Sequence, residues 1–235
     1  MSFSNYFRAF KEHHLSPQAP KPPRTRMPLR LSQDSAVTIS ATPLVLNEAA
    51  GSLIKSDLPS DHKIIFVGEL AVYGVQYLRA YLSNGDGAFI QFATRGDKVV
   101  ETRLYKPYAE VIPASTDEWN FWLGQQNGYI GAPVVQSKEE DGLLPYQRVW
   151  GQGDQRIDPI ITTEQILDAA GVRSSLRHSL MLYARALTAV SNQSSAEYLL
   201  VSVVETPSGA SVNFWLGMDI AEADLTVFPA ADAPS

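Results

Sequence analysis

Four glycine-bearing turn sequences, Ser83-Asn84-Gly85-Asp86-Gly87, Arg95-Gly96-Asp97, Gly151-Gln152-Gly153-Asp154 and Thr206-Pro207-Ser208-Gly209, punctuate this chain. Glycine, asparagine and aspartate supply the positive-φ backbone that tight hairpins need, so each sequence predicts a reversal between paired strands. The flanking segments agree. Lys63 to Tyr73 is rich in β-branched residues, and Val75 to Leu82 alternates, with Val75, Tyr77, Arg79 and Tyr81 on one side and Gln76, Leu78, Ala80 and Leu82 on the other. Phe89 to Thr94 and Lys98 to Tyr105 complete a meander of three consecutive strands.

Helices are predicted at two places. Ser115 or Thr116 can cap a helix whose first turn holds Asp117 and Glu118 and which Gly124 ends; Thr162 or Thr163 can start another that runs through Ala170 to Gly171. Tyr129 to Val135, Tyr146 to Trp150, Glu197 to Glu205 and Ala210 to Leu216 are predicted strands. So is Arg177 to Leu187, although Leu176, Leu180, Tyr183 and Leu187 also fit a helical stripe. The expected fold class is α+β: mainly antiparallel β meanders with a few short helices packed on the sheet.

With 235 residues and 45% apolar content, a chain like this can bury roughly 70% of the surface that its unfolded form exposes. The expected organisation is an amphipathic segment and proline-rich basic linker over 1–28, one β-rich domain over 29–228, and a frayed tail over 229–235. Phe3, Tyr6, Phe7 and Phe10 recur at the spacing of one helical face, and five prolines follow between Pro17 and Pro28. Residues 1–30 hold six bases against one acid, a charge of +5, which leaves the rest at 13 minus 24, or −11. An acidic body repels nucleic-acid phosphates, so no nucleic-acid partner is expected, whereas the basic segment suits a protein partner or an anionic membrane surface. Its aromatic stripe is a candidate docking element for a membrane, a partner or its own acidic domain.

The absence of cysteine excludes disulfides, thiolate metal sites and a cysteine nucleophile. The chain also carries no apolar run near the ~20 residues of a membrane span, and its amino terminus does not resemble a secretory signal. The expected location is the cytoplasm, with peripheral contact at the inner membrane.

Motifs for chemistry are scarce. His13, His14, His62 and His178 lack metal-ligand spacing, and the acids beside turn glycines, Asp86, Asp97, Asp141 and Asp154, fit turn chemistry better than a calcium loop. No nucleophile elbow, phosphate loop or dinucleotide fingerprint is present, so no cofactor, metal or catalytic residue is assigned. The candidate ligand or partner contact is Tyr146, Arg148 and Trp150, since a guanidinium between two aromatic rings on one strand face can bind an anion or equally cover aromatic surface. One repeat stands out: Asn120-Phe121-Trp122-Leu123-Gly124 recurs as Asn213-Phe214-Trp215-Leu216-Gly217, with no similarity in the flanks.

Taken in order, Met27-Pro28-Leu29-Arg30-Leu31, Gly87-Ala88-Phe89-Ile90-Gln91, Glu118-Trp119, Tyr146-Gln147-Arg148-Val149-Trp150 and Glu197-Tyr198-Leu199-Leu200-Val201-Ser202 resemble the YjfK-like bacterial domain-of-unknown-function family over residues 27–228. The resemblance brings no catalytic residues. Genes of that family lie beside those for membrane-remodelling stress proteins and ATP-grasp ligases, which implies an accessory part of a membrane-associated stress or modification system. The leading expectation is thus a non-catalytic cytoplasmic adaptor; the alternative is an enzyme or small-ligand-binding domain whose site is assembled from distant residues around Tyr146, Arg148 and Trp150.

Overall fold

The computed structural model describes residues 27–139, 142–168, 170–188, 195–206 and 209–230. Phe3, Tyr6, Phe7, Phe10 and most of the proline-rich stretch lie outside these residues, as do positions 207–208 of the fourth turn. In chain order the elements are β1 (Ala36–Ile39), α1 (Ala41–Ala49), β2 (Asp61–Val72), β3 (Val75–Leu82), β4 (Phe89–Arg95), β5 (Lys98–Val111) and α2 (Thr116–Leu123). There follow β6 (Val134–Glu139), β7 (Gly142–Arg148), β8 (Ile160–Asp168), β9 (Arg173–Ala186), β10 (Ala196–Thr206), β11 (Gly209–Asp219) and β12 (Leu225–Phe228).

Every strand pairing is antiparallel, and eight strands close on themselves in the order β2, β3, β4, β5, β11, β10, β9, β8 and back to β2. The meander is therefore a closed barrel. β1 and β12 extend the edge of β2, and the β6–β7 hairpin joins β9 through Gln147 and Arg148.

Two cores follow from the strand alternation. All eight barrel strands contribute to one cluster, including Leu70, Tyr77, Tyr81, Phe89, Tyr105, Ile166, Leu180, Leu200 and Trp215, and a cluster shared by all eight can only be the lumen. Eight strands leave an interior that side chains fill. The opposite face, with Leu78, Leu82, Ile90, Leu104, Met181, Val201 and Phe214, is covered from outside by Leu44 of α1, by Trp119, Trp122 and Leu123 of α2, and by Ile54, Ile130 and Tyr146. The alternation in β3 is thus obeyed, but each side meets a core: Tyr77, Arg79 and Tyr81 face the lumen, and Leu78, Ala80 and Leu82 the outer layer.

The predicted helix from Thr162 or Thr163 to Ala170 is corrected to strand β8. Glu164 and Ile166 are buried while Ile161, Thr163 and Gln165 are exposed, a period of two, and β8 fills the gap that closes the ring between β2 and β9. The strand predicted from Tyr129 begins only at Val134, because Gly131 takes a left-handed backbone (φ 102) and Pro133 follows it. Helix α1 goes unread in the sequence; Ser40 caps it by accepting the Thr42 amide, and Asn47 donates to the Pro43 carbonyl. Arg177 to Leu187 is strand, as its β-branched and aromatic partners on β8 and β10 require.

Candidate functional site

The lumen holds the first cluster of chemistry-bearing groups. The Glu164 carboxylate accepts from Arg79 Nη1 at 2.8 Å and Tyr81 Oη at 2.7 Å and lies 3.1 Å from His178 Nε2, and Arg79 Nε donates to Gln91 Oε1 at 3.0 Å. His178 Nδ1 is 3.1 Å from Ser202 Oγ. Burial raises the Glu164 pKa, but the Arg79 charge and the hydrogen bonds from His178 and Tyr81 outweigh it and hold the carboxyl at about 2. Burial pushes the His178 imidazole below its usual range, which favours its neutral form.

Hydroxyl, imidazole and carboxylate stand here in the order that a serine nucleophile uses. The resemblance stops at connectivity. Ser202, His178 and Glu164 are closed to solvent, and Arg79 stands against the carboxylate, so the cluster ties β3, β8, β9 and β10 together. Arg79 and Glu164 are the residues that sequence reasoning missed. A lone arginine inside an otherwise apolar alternating strand was the available signal, and the misassigned β8 concealed its partner.

Tyr146, Arg148 and Trp150 are each engaged inside the fold. Tyr146 is buried in the outer core and donates to Glu197 Oε1 at 2.5 Å; Glu197 also accepts from Arg185 Nε at 2.7 Å, from the Leu53 amide at 2.6 Å and from Ser52. Burial, with the Glu197 charge beside it, pushes the Tyr146 phenol far up. The Arg148 guanidinium donates to four carbonyls, those of Gly131 (2.6 Å), Gln152 (3.2 Å), Gly153 (2.7 Å) and Gln155 (2.8 Å). Trp150 packs beside Tyr77, ring centroids 5.9 Å apart. Among the described residues no group of three or more His, Asp or Glu side chains is placed to hold a metal ion.

An open site lies elsewhere, on the outer wall. A recess of about 270 Å³ is lined by Tyr108, Ala109 and Val111 of β5, Phe214 of β11, Leu199 of β10, Trp122 of α2, Tyr129, and Gln136 and Ser137 of β6. Its rings are set edge to face: Trp122 meets Phe214 at 5.6 Å and Tyr129 at 5.2 Å between centroids. Tyr108 Oη lies 2.7 Å from Ser137 Oγ, and Tyr129 Oη donates to the Gln136 carbonyl at 3.1 Å. Burial raises the Tyr129 phenol to about 12, so it remains a neutral donor.

The sequence builds this recess locally. Ser115 caps α2 by accepting the Glu118 amide, Glu118 accepts the Ala114 amide, and the Tyr129 and Ile130 amides donate back to the Phe121 and Trp122 carbonyls. Arg156 pins the following loop through the Gly128 and Gln125 carbonyls, and Arg148 pins it through Gly131. The two copies of the Asn-Phe-Trp-Leu-Gly repeat meet here as helix and strand, supplying Trp122 and Phe214.

No helix among the described residues is long and apolar enough to cross a membrane. The model of the family described as "Protein of unknown function (DUF2491)" matches residues 3–226. Neither the curated proteins nor the solved structures contain a match.

Proposed function

Since the chain belongs to the DUF2491 family, whose description carries no activity, we propose from its geometry that it is a non-catalytic adaptor, a binding module that receives an aromatic anchor of a protein partner in the recess of the outer wall. The observation that carries this reading is a contrast. Glu164, Glu197 and Arg148 are each held by several partners inside the fold, whereas four aromatic rings line an open cavity. At about 270 Å³ the recess falls just below the ~300 Å³ at which small-molecule sites begin, and it suits one inserted side chain of the kind that dominates protein interfaces. The net charge of −11 beyond residue 30 argues against nucleic acid as the partner. The finer resemblance to the YjfK-like group supports placing this adaptor in a membrane-associated stress or modification system.

Phe121, 55% exposed beside the recess, and Ile161, 62% exposed on β8 across the barrel, allow a direct test. A photo-crosslinking phenylalanine analogue at position 121 is expected to give a discrete protein adduct in cells, absent from position 161 and lost on Trp122→Ala. The same adducts from both positions, or none from 121, would overturn the adaptor reading.

A further inference from the structure

We infer that, in the unengaged protein, the recess is occupied by the chain's own amino-terminal segment, whose aromatic stripe a partner must displace. This rests on the recess being the docking site proposed above and adds its regulation. The stripe supplies the chemistry that the recess accepts: Phe3, Tyr6, Phe7 and Phe10 share one face of a segment shorter than the ~12 to 15 residues at which an isolated helix becomes stable, so it needs a surface to fold against. The aromatic walls of Trp122, Tyr129 and Phe214 offer edge-to-face partners to an entering ring.

Charge favours the body over bulk solvent. Residues 1–26 carry five bases and one acid, against the acidic body, and the exposed Asp117 and Glu118 stand on the first turn of the helix that supplies Trp122. Reach is sufficient. The first described residue, Met27, is buried in the outer core. Ahead of it, the sixteen residues 11–26 separate the stripe from Met27 and span up to about 50 Å at ~3.1 Å per residue if extended, against the ~36 Å of an 11-residue barrel strand. The family match begins at residue 3, so it spans both the stripe and the recess residues.

The natural absence of cysteine gives a clean test in the full chain, since a spin label at Ser4→Cys is the only one it will carry. The label is expected to bleach the Trp122 indole and Tyr129 amide resonances and to spare Thr163 and Gln165 on β8, which lies across the ring. Phe7→Ala, with the label kept at position 4, is expected to restore the lost intensity. Absent or uniform bleaching, bleaching that survives Phe7→Ala, or bleaching that passes from labelled chains to unlabelled isotope-enriched chains in a mixture would overturn the inference. The two claims fail separately: a crosslinked partner at position 121 without intramolecular bleaching removes only self-occupation, and bleaching without any partner adduct removes only the adaptor.

Discussion

Gly68 of β2 faces the Glu164 carboxylate of β8 so closely that a methyl group at position 68 would overlap Glu164 Oε1. The buried arginine and its acid are held on β3 and β8, on either side of β2, and the missing side chain at Gly68 is what lets the carboxylate pass beneath β2 to reach Arg79. Gly68→Ala must displace an acid that Arg79 and Tyr81 hold in place. The expected cost is on the order of 3 kcal/mol by urea denaturation, because overpacking and disturbance of a buried ion pair act together. Glu164→Gln, which leaves the Arg79 charge buried without its counter-charge, is expected to cost about 3 to 5 kcal/mol. A loss below 1 kcal/mol for both would mean that the lumen cluster is not what holds the ring together.

The same cluster sets the acid stability. The Glu164 carboxyl is held at about 2 against an ordinary 4.5, and His178 is pushed below 6.5, as is His62, both chiefly by burial. In each case the unfolded chain binds protons that the native one refuses, so stability falls as pH falls. The histidine contribution is complete above about 6.5 and declines below it, and the Glu164 contribution is lost between 4.5 and about 2. Unfolding midpoints measured across this range should show both declines, with His178→Gln reducing the first. A midpoint that rises on acidification would contradict the neutral buried imidazole.

Arg148 is expected to behave as a loop staple. A lysine has one ammonium and cannot span the four carbonyls that the guanidinium fork reaches, so Arg148→Lys should cost about 1 to 3 kcal/mol. Faster amide exchange in Gly151–Gln155 is the accompanying local sign. An unchanged stability together with a lost response to titrated phosphate in the amide spectrum would instead restore Arg148 to the anion-binding role that its aromatic neighbours suggest.

The legible part of this fold was whatever short-range chemistry decides. Asp86 (φ 46), Gly87 (φ 106) and Gly96 (φ 59) take the backbone that their turn sequences imply, and the meander from β3 to β5 follows from them. What could not be read depended on partners distant in sequence. Thr162 or Thr163 carries a respectable helix start, yet pairing with β2 and β9 overrides it, and Glu164 beside them is the buried counter-ion of Arg79. The repeated pentapeptide makes the same point in one chain, since Asn-Phe-Trp-Leu-Gly is helix behind the Ser115 cap and strand between β5 and β10. Tyr146 and Arg148 stand out in the sequence, but the buried acid and the carbonyls that they meet in the fold are invisible there. The recess was foreshadowed only by aromatic residues whose meeting depends on the closed barrel.

The Ser115 cap links that recess to the shortest-range signal in the sequence. At eight residues, α2 is too short to persist alone, and it stays folded because Trp119, Trp122 and Leu123 pack on the barrel while Ser115 satisfies the Glu118 amide. Ser115→Ala should lower global stability by only about 1 kcal/mol, since Glu118 still holds the Ala114 amide. Its local effect should be larger. The Tyr129 and Ile130 amides donate to the Phe121 and Trp122 carbonyls, so fraying of α2 exposes the very hydrogen bonds that fix the recess wall. Native-state hydrogen exchange is expected to show these two amides losing protection while those of Leu180 and Leu200 in the lumen strands keep theirs, and Ser115→Asp, which supplies another capping oxygen, should restore them. Uniform loss across the barrel, or no change at Tyr129 and Ile130, would show that packing on the barrel, and not the cap, positions Trp122 in the recess.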